Sequence, residues 1–123
     1  MAERTIKWGI MGPGWISGQF AEDLKKVEGA ELVAVGSRSK ERAEKFAAEF
    51  GAKRAYGSCE ELAADPEVDI VYIGTVHPAH RDNALTLIRG GKAVLCEKPF
   101  TMNAKQAEEV IREARQRGVF LME

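Results

Sequence analysis

The chain has 123 residues, of which 18 are basic and 19 acidic, giving a formal net charge of -1 at pH 7. With 45% apolar and 30% charged residues it has the make-up of one globular domain around one core, not of a disordered or membrane-embedded chain. The near-balance of charge argues against a nucleic-acid partner or a membrane surface. No apolar run is long enough to cross a bilayer and no signal-peptide pattern opens the sequence, so a cytoplasmic protein is expected.

Short apolar runs alternate with stretches of helical period. Lys7 to Met11 reads as a first strand, stopped by Gly12-Pro13-Gly14. Phe20, Leu24 and Val27, at spacings of four and three, predict a helix with one buried side that ends before Gly29. Glu31 to Ser37, with Leu32, Val33 and Val35, predicts a second strand. Ser39 suits the N-cap of the next helix, which carries Ala43, Phe46, Ala47 and Phe50 as an apolar stripe. Gly51 stands where a left-handed C-terminal cap belongs. A brief third strand is expected around Arg54 to Tyr56. Ser58 and Glu61, three apart, open a short helix that Asp65-Pro66 closes.

Asp69 to Gly74 is a continuous apolar run of the kind found in strands buried on both faces. A helix from about Pro78 to Arg89, a Gly90-Gly91 stop and a strand from Ala93 to Cys96 follow. Asn103 and Gln106 then cap a helix with Ala107, Val110, Ile111 and Ala114 on its buried side, ended by Gly118. Val119 to Met122 starts a sixth strand. Six strand signals alternating with five helical ones predict an α/β fold, a doubly wound parallel sheet with helices on both faces, and residues 1–123 form one unit. Cys59 and Cys96 lie in different elements without metal or redox spacing, so two reduced structural thiols are expected. No Cys, His or acidic cluster has ligand spacing, so no metal is expected.

The turn Gly12-Pro13-Gly14-Trp15-Ile16-Ser17 follows the first strand and opens a helix, which is the Rossmann-like setting for a G-x-G-x-x-small pattern. Gly12 would make the tight turn, Gly14 would let the backbone approach a pyrophosphate, and Ser17 would allow close packing of helix on strand. The first helical amides, from Trp15 and Ile16 onward, would face the phosphates. The Trp15 side chain has two readings, packing or flanking the cofactor. A glycine turn in this context marks a dinucleotide site.

The end of the second strand bears on which dinucleotide. An NAD site usually carries Asp or Glu there, bonded to the adenosine 2′-hydroxyl. This chain has Ser37-Arg38, with Arg42 one helical turn on, and a guanidinium matches a 2′-phosphate that a carboxylate would repel. The choice tilts to NADP over NAD. The plainer reading of Arg38 and Arg42 is two ordinary surface cations.

The fifth strand ends in Glu97-Lys98-Pro99. Ligands of doubly wound sheets bind beyond the carboxyl ends of the strands, so Lys98 is expected to point into the same crevice as the glycine turn. There it would bond the nicotinamide ribose and a substrate hydroxyl, and favour an alkoxide-like oxygen as hydride leaves.

The ordered set Gly12-Pro13-Gly14, Ser37-Arg38, Gly74-Thr75 with His80, and Glu97-Lys98-Pro99 resembles the glucose-fructose oxidoreductase, inositol dehydrogenase and rhizopine-catabolism family. Ala55-Tyr56-Gly57-Ser58 and Gly74 to His80 are similar to its dihydrodiol dehydrogenase and NADP-dependent xylose dehydrogenase branch. The resemblance covers essentially the whole chain. It implies that Lys98 is the catalytic lysine, that Glu97 lies on the cofactor side, and that Thr75 and His77 line the nicotinamide nucleotide with His80 nearby. Many members have proline and asparagine after the threonine, where this chain has Val76 and His77. The family often shows a cis peptide before the proline of Glu-Lys-Pro. The plainer readings are that His77 is a helix-entry residue and His80 a structural one.

Members of that family carry a second α/β domain that supplies the substrate pocket, an acid-base group and usually the oligomer interface. The last strand signal stops at Met122-Glu123, about where the family's chain crosses into that domain. The expectation is therefore the NADP-binding half of an oxidoreductase acting on a sugar or cyclic diol, unable to turn over alone, with its small-molecule substrate held by the other domain. A non-catalytic nucleotide-binding or redox-sensing module is the alternative, to which Lys98 would be superfluous. An apolar edge at the sixth strand would favour self-association, and a homo-oligomer is the expected partner state.

Overall fold

Strand β1 (Ile6–Met11) leads through the glycine turn into helix α1 (Trp15–Leu24), then β2 (Ala30–Gly36), α2 (Lys40–Phe50) and β3 (Arg54–Tyr56). The chain continues through a short α3 (Cys59–Ala63), β4 (Ile70–Ile73), a 3₁₀ turn (His77–Ala79), α4 (His80–Arg89), β5 (Ala93–Cys96), α5 (Ala104–Arg117) and β6 (Leu121–Met122). The structure is a computed structural model and describes residues 4–123. Every strand pairing is parallel, in the order β3-β2-β1-β4-β5-β6. The chain winds outward from β1 to β3, crosses back to β4 on the other side of β1, and winds outward again. Strand order reverses between β1 and β4, and a crevice opens there above the carboxyl ends.

The apolar run of β4 is split between the two faces by strand alternation. Val71 and Ile73 point into one cluster with Leu62, Leu87, Ile88 and Val110, supplied by α3, α4 and α5. Tyr72, between them, points into the other with Ala21, Ala43, Phe46 and Phe50 of α1 and α2. Leu62, Leu87 and Ile88 are fully buried, and truncating any of them to Ala should cost about 2–5 kcal/mol.

The caps are where local chemistry asks for them. Ser39, Ser58 and Asn103 accept from the amides of Arg42, Glu61 and Gln106 at 3.3, 3.1 and 3.0 Å. Gly51 and Gly118 close α2 and α5 in the left-handed conformation. Cys59 and Cys96 are free and buried, and burial pushes both thiols up to about 12.

Several details differ from the sequence expectation. Helix α1 stops at Leu24, because the amides of Lys26 and Val27 turn back to Asp23 and Leu24 in tight i to i+3 bonds, and Val27 is left 54% exposed. β2 is shifted one residue toward the N-terminus, since Ser37 already belongs to the loop whose amide reaches Tyr56. The stretch from His77 is a 3₁₀ turn before α4 begins at His80. Ile111 of α5 is 37% exposed, and only Val110 and Ala114 are buried on that helix. Among the described residues no helix is long and apolar enough to cross a membrane.

Candidate functional site

The glycine turn sits over the reversal point, and each of its small residues has a separate reason. Gly12 has φ +98°, and a Cβ there would meet the Thr75 amide nitrogen at 2.8 Å, so no other residue fits. Its amide donates to Gly36 and thereby fixes the turn against β2. Ser17 is fully buried and donates its hydroxyl to the Gly12 carbonyl at 2.5 Å. It lies so close to Gly74 that a Cβ on Gly74 would overlap its Oγ, which lets α1 pack tightly on the end of β4. Gly14 is different. A Cβ there would meet nothing within 4 Å, and the residue opens onto a cleft.

Gly14 is also the N-cap of α1, with no side-chain cap and no acid in the first turn. The first helical amides therefore lack an intrahelical partner, and the positive end of the helix dipole is unopposed. A phosphate fits this arrangement, because it needs backbone donors and a residue without a side chain.

The cleft has a volume of about 540 Å³, in the range of small-molecule and cofactor sites. One wall is the turn itself. A second is the end of β2 and the start of α2, contributing Ser37, Arg38, Ser39 and Arg42. The buried Ser37 accepts from the Ser39 amide at 3.1 Å, which shapes the loop that presents Arg38. Arg38 and Arg42, like Arg112 and Arg115 elsewhere, have no carboxylate partner among the described residues, whereas Arg54, Arg81, Arg89 and Arg117 are paired. Among the described residues no Asp or Glu lines the cleft. The third wall, from the end of β4 into α4, is Gly74, Thr75, Val76, Ala79 and Asn83.

Beside the cleft, two histidines join the β4–α4 turn to the loop after β5. The His80 ring is buried, with Nε2 2.9 Å from the Thr75 carbonyl oxygen and Nδ1 2.9 Å from that of Pro99. His77 Nε2 lies 2.8 Å from the Thr101 carbonyl oxygen, and the two rings meet edge to face at 5.6 Å. The Lys98-Pro99 peptide is cis. Glu97 accepts from the Tyr72 hydroxyl on one oxygen and from the Lys98 amide at 3.2 Å on the other. Burial first, and the hydrogen bond to Glu97 second, raise the Tyr72 phenol above its ordinary value.

Of the residues singled out from the sequence, the structure brings Gly12, Gly14, Ser37, Arg38, Arg42 and Thr75 around one cleft. Trp15 and Ile16 open α1 but turn their side chains to solvent; Trp15 is 79% exposed, so it packs against nothing that would bury it. His77, His80 and Glu97 are engaged in the contacts above. Lys98 is exposed and lies farther along the same carboxyl edge, outside the lining of this cleft. In the sheet order β5 lies beyond β4, and His80 of the β4–α4 segment contacts the Pro99 carbonyl oxygen next to Lys98. Asn83 and Tyr72 were not anticipated as part of the site, and Ser39 was expected only as the cap of α2. Asn83 is one helical turn past His80, a spacing that would have placed both near Thr75 once α4 was assigned.

The comparisons agree with this geometry. Residues 6–123 match a family model described as an oxidoreductase family with an NAD-binding Rossmann fold. The chain is 48% identical over 121 residues to trans-1,2-dihydrobenzene-1,2-diol dehydrogenase of Sus scrofa, covering 97% of this chain and 36% of that one. The crystal structure of KijD10, a 3-ketoreductase from Actinomadura kijaniata in complex with NADP, superposes with a TM-score of 0.91 at 32% identity, over 97% of this chain and 38% of that one. An NAD binding oxidoreductase from Klebsiella pneumoniae gives a TM-score of 0.90 at 34% identity, over 95% of this chain and 33% of the other. The chain thus spans little more than a third of the relatives it matches. It is an NAD(P)-binding Rossmann domain, and it belongs to the glucose-fructose oxidoreductase, inositol dehydrogenase and rhizopine-catabolism family of oxidoreductases.

Proposed function

We propose that this chain is the NADP-binding part of a dehydrogenase that moves a hydride between the nicotinamide and a sugar or cyclic diol. The observation that carries the choice of NADP is the β2–α2 wall, where among the described residues two arginines have no carboxylate partner and no acidic residue lines the cleft. An adenosine 2′-phosphate would sit between Arg38 and Arg42, near the N-terminus of α2 and the Ser39 cap. Two named proteins support the reading: the Actinomadura 3-ketoreductase binds NADP, and the Sus scrofa relative is a diol dehydrogenase.

The strand order sets how such a cofactor would lie. Arg38 after β2, Gly12 to Gly14 after β1 and Thr75 after β4 line one cleft, and Lys98 lies beyond it at the end of β5. An extended dinucleotide laid along this row puts its 2′-phosphate on Arg38, its pyrophosphate on α1 and its nicotinamide toward Lys98. When bound, the cofactor supplies the hydride acceptor or donor. Lys98 would hold its ammonium against the substrate oxygen and favour the developing negative charge there. Glu97, tied to Tyr72 and to the Lys98 amide, fixes the turn that carries this lysine. The chain spans little more than a third of its relatives, and on this reading the 123 residues should bind cofactor without turnover.

Titration of the chain with NADPH and NADH, followed by nicotinamide fluorescence, tests the reading. NADPH should bind at least tenfold more tightly, since hydrogen bonds to charged groups contribute about 1.5–3 kcal/mol. Arg38→Ala should bring the two affinities together. Equal affinities in the unmodified chain would remove the case for NADP.

A further inference from the structure

The cleft carries polar side chains that a phosphate does not account for. Its lining includes Ser37, Arg38, Ser39 and Arg42 on one wall and Thr75 and Asn83 on the opposite one. The first four fit the phosphate end of an adenosine. The other two face it from the turn after β4 and from α4, beside the apolar Val76 and Ala79. None of Glu97, Lys98 or Pro99 lines this space, so the cleft houses the adenosine half of a dinucleotide and the nicotinamide half lies outside it toward β5. The base must therefore rest within the cleft, and Thr75 and Asn83 are the polar groups left to meet its edge.

Thr75 is held at both ends. Its carbonyl oxygen is bound to the buried His80 ring at 2.9 Å, and its hydroxyl donates to Asn83 Oδ1 at 2.7 Å. This fixes the rotamer of the Asn83 carboxamide before any ligand arrives. Oδ1 keeps a second lone pair, and Nδ2 keeps both of its protons without a protein partner among the described residues. A carboxamide offering one donor and one acceptor side by side is complementary to the adenine edge, where N7 accepts and the N6 amino group donates. A 6-oxo purine presents two acceptors on that edge and would set an oxygen against Asn83 Oδ1.

We propose that Asn83, oriented by Thr75, reads the purine edge of the cofactor and selects adenine over a 6-oxo base. The proposal rests on the cofactor reading above and adds a specificity residue to it. Asn83 Nδ2 donates to N7 and Oδ1 accepts from the N6 amino group, while the faces of the ring lie against Val76 and Ala79. Bidentate contacts of this kind discriminate by about 1–3 kcal/mol, roughly 5- to 150-fold in affinity.

The test is a titration of the whole chain with NADP and with its hypoxanthine analogue, nicotinamide hypoxanthine dinucleotide phosphate, by calorimetry. The unmodified chain should favour the adenine form by roughly fivefold or more. Asn83→Ala should bind both forms alike while still preferring NADP to NAD, because the arginines are untouched. Asn83→Leu, of nearly the same shape, serves the same purpose if the alanine variant does not fold by circular dichroism. Equal affinity of the unmodified chain for the two bases, or an adenine preference that survives in the folded variant, would overturn the role of Asn83 and leave the NADP assignment standing. Failure to bind any nicotinamide dinucleotide would sink the cofactor reading, and this proposal with it.

Discussion

Tyr72 on β4 donates its hydroxyl proton to a Glu97 oxygen just beyond β5, and the register of the sheet explains how. Tyr72 pairs with Leu95, so Glu97, two residues on, falls on the same face of the sheet. The tyrosine ring stacks on Phe20 of α1 with centroids 4.1 Å apart and planes 6° from parallel. One side chain thus joins the helix that opens at the glycine turn to the turn that carries Lys98.

Replacing Tyr72 by Phe keeps the stack on Phe20 and removes only the hydroxyl, leaving a part-buried carboxylate oxygen without its donor. Urea unfolding should show a loss of about 1.5–3 kcal/mol with an unchanged slope. NADPH affinity should change little, because the hydroxyl lies outside the cleft.

The two outer glycines of the turn should fail in opposite ways. Gly12→Ala places a side chain at φ +98° and against the Thr75 amide, so it should destabilise the fold by about 2 kcal/mol or more. Gly14 has ordinary backbone angles and open space beyond it. Gly14→Ala should melt within about 1 kcal/mol of the unmodified chain yet lose cofactor affinity, since the new methyl group occupies the phosphate's place. Thermal melts paired with NADPH titration separate the two effects.

An ion-pair network at the amino ends of the strands gives the fold an acid limit. Hydrogen bonds from Lys7 and Arg54 pull the Glu67 carboxyl from its ordinary 4.5 down to about 2. A depressed carboxyl stabilises the fold fully above its unfolded value and loses that contribution as pH falls through the folded one. Melting temperature should therefore drop between about pH 4.5 and pH 2. Glu67→Gln should flatten that part of the profile and lower the melting temperature at neutral pH.

The legible parts of this molecule were local. The glycine turn, the Ser39 cap, Arg38 and Arg42 all lie within a few residues of a strand end, where spacing in sequence is spacing in space. The six parallel strands and five helices followed from alternation in the same way. Pairings across the sheet were another matter. Tyr72 and Glu97 meet because β4 and β5 are neighbours in a particular register, and His80 meets Pro99 because the 77–80 turn folds over that strand end. Neither fact has a signature in the spacing of residues. Val27 and Ile111 show a further limit: an apolar residue can keep helical period and still fall past the helix end or toward solvent.

The most direct test of the cofactor site uses the fragment that bears its distinguishing group. Adenosine 2′,5′-bisphosphate and adenosine 5′-monophosphate would each be titrated into ¹⁵N-labelled chain and followed by amide shifts. The account predicts binding of the bisphosphate at least tenfold tighter, with the largest shifts at Gly12 to Ile16 and Ser37 to Arg42. Equal affinity for the two nucleotides, or shifts centred away from those two segments, would contradict it.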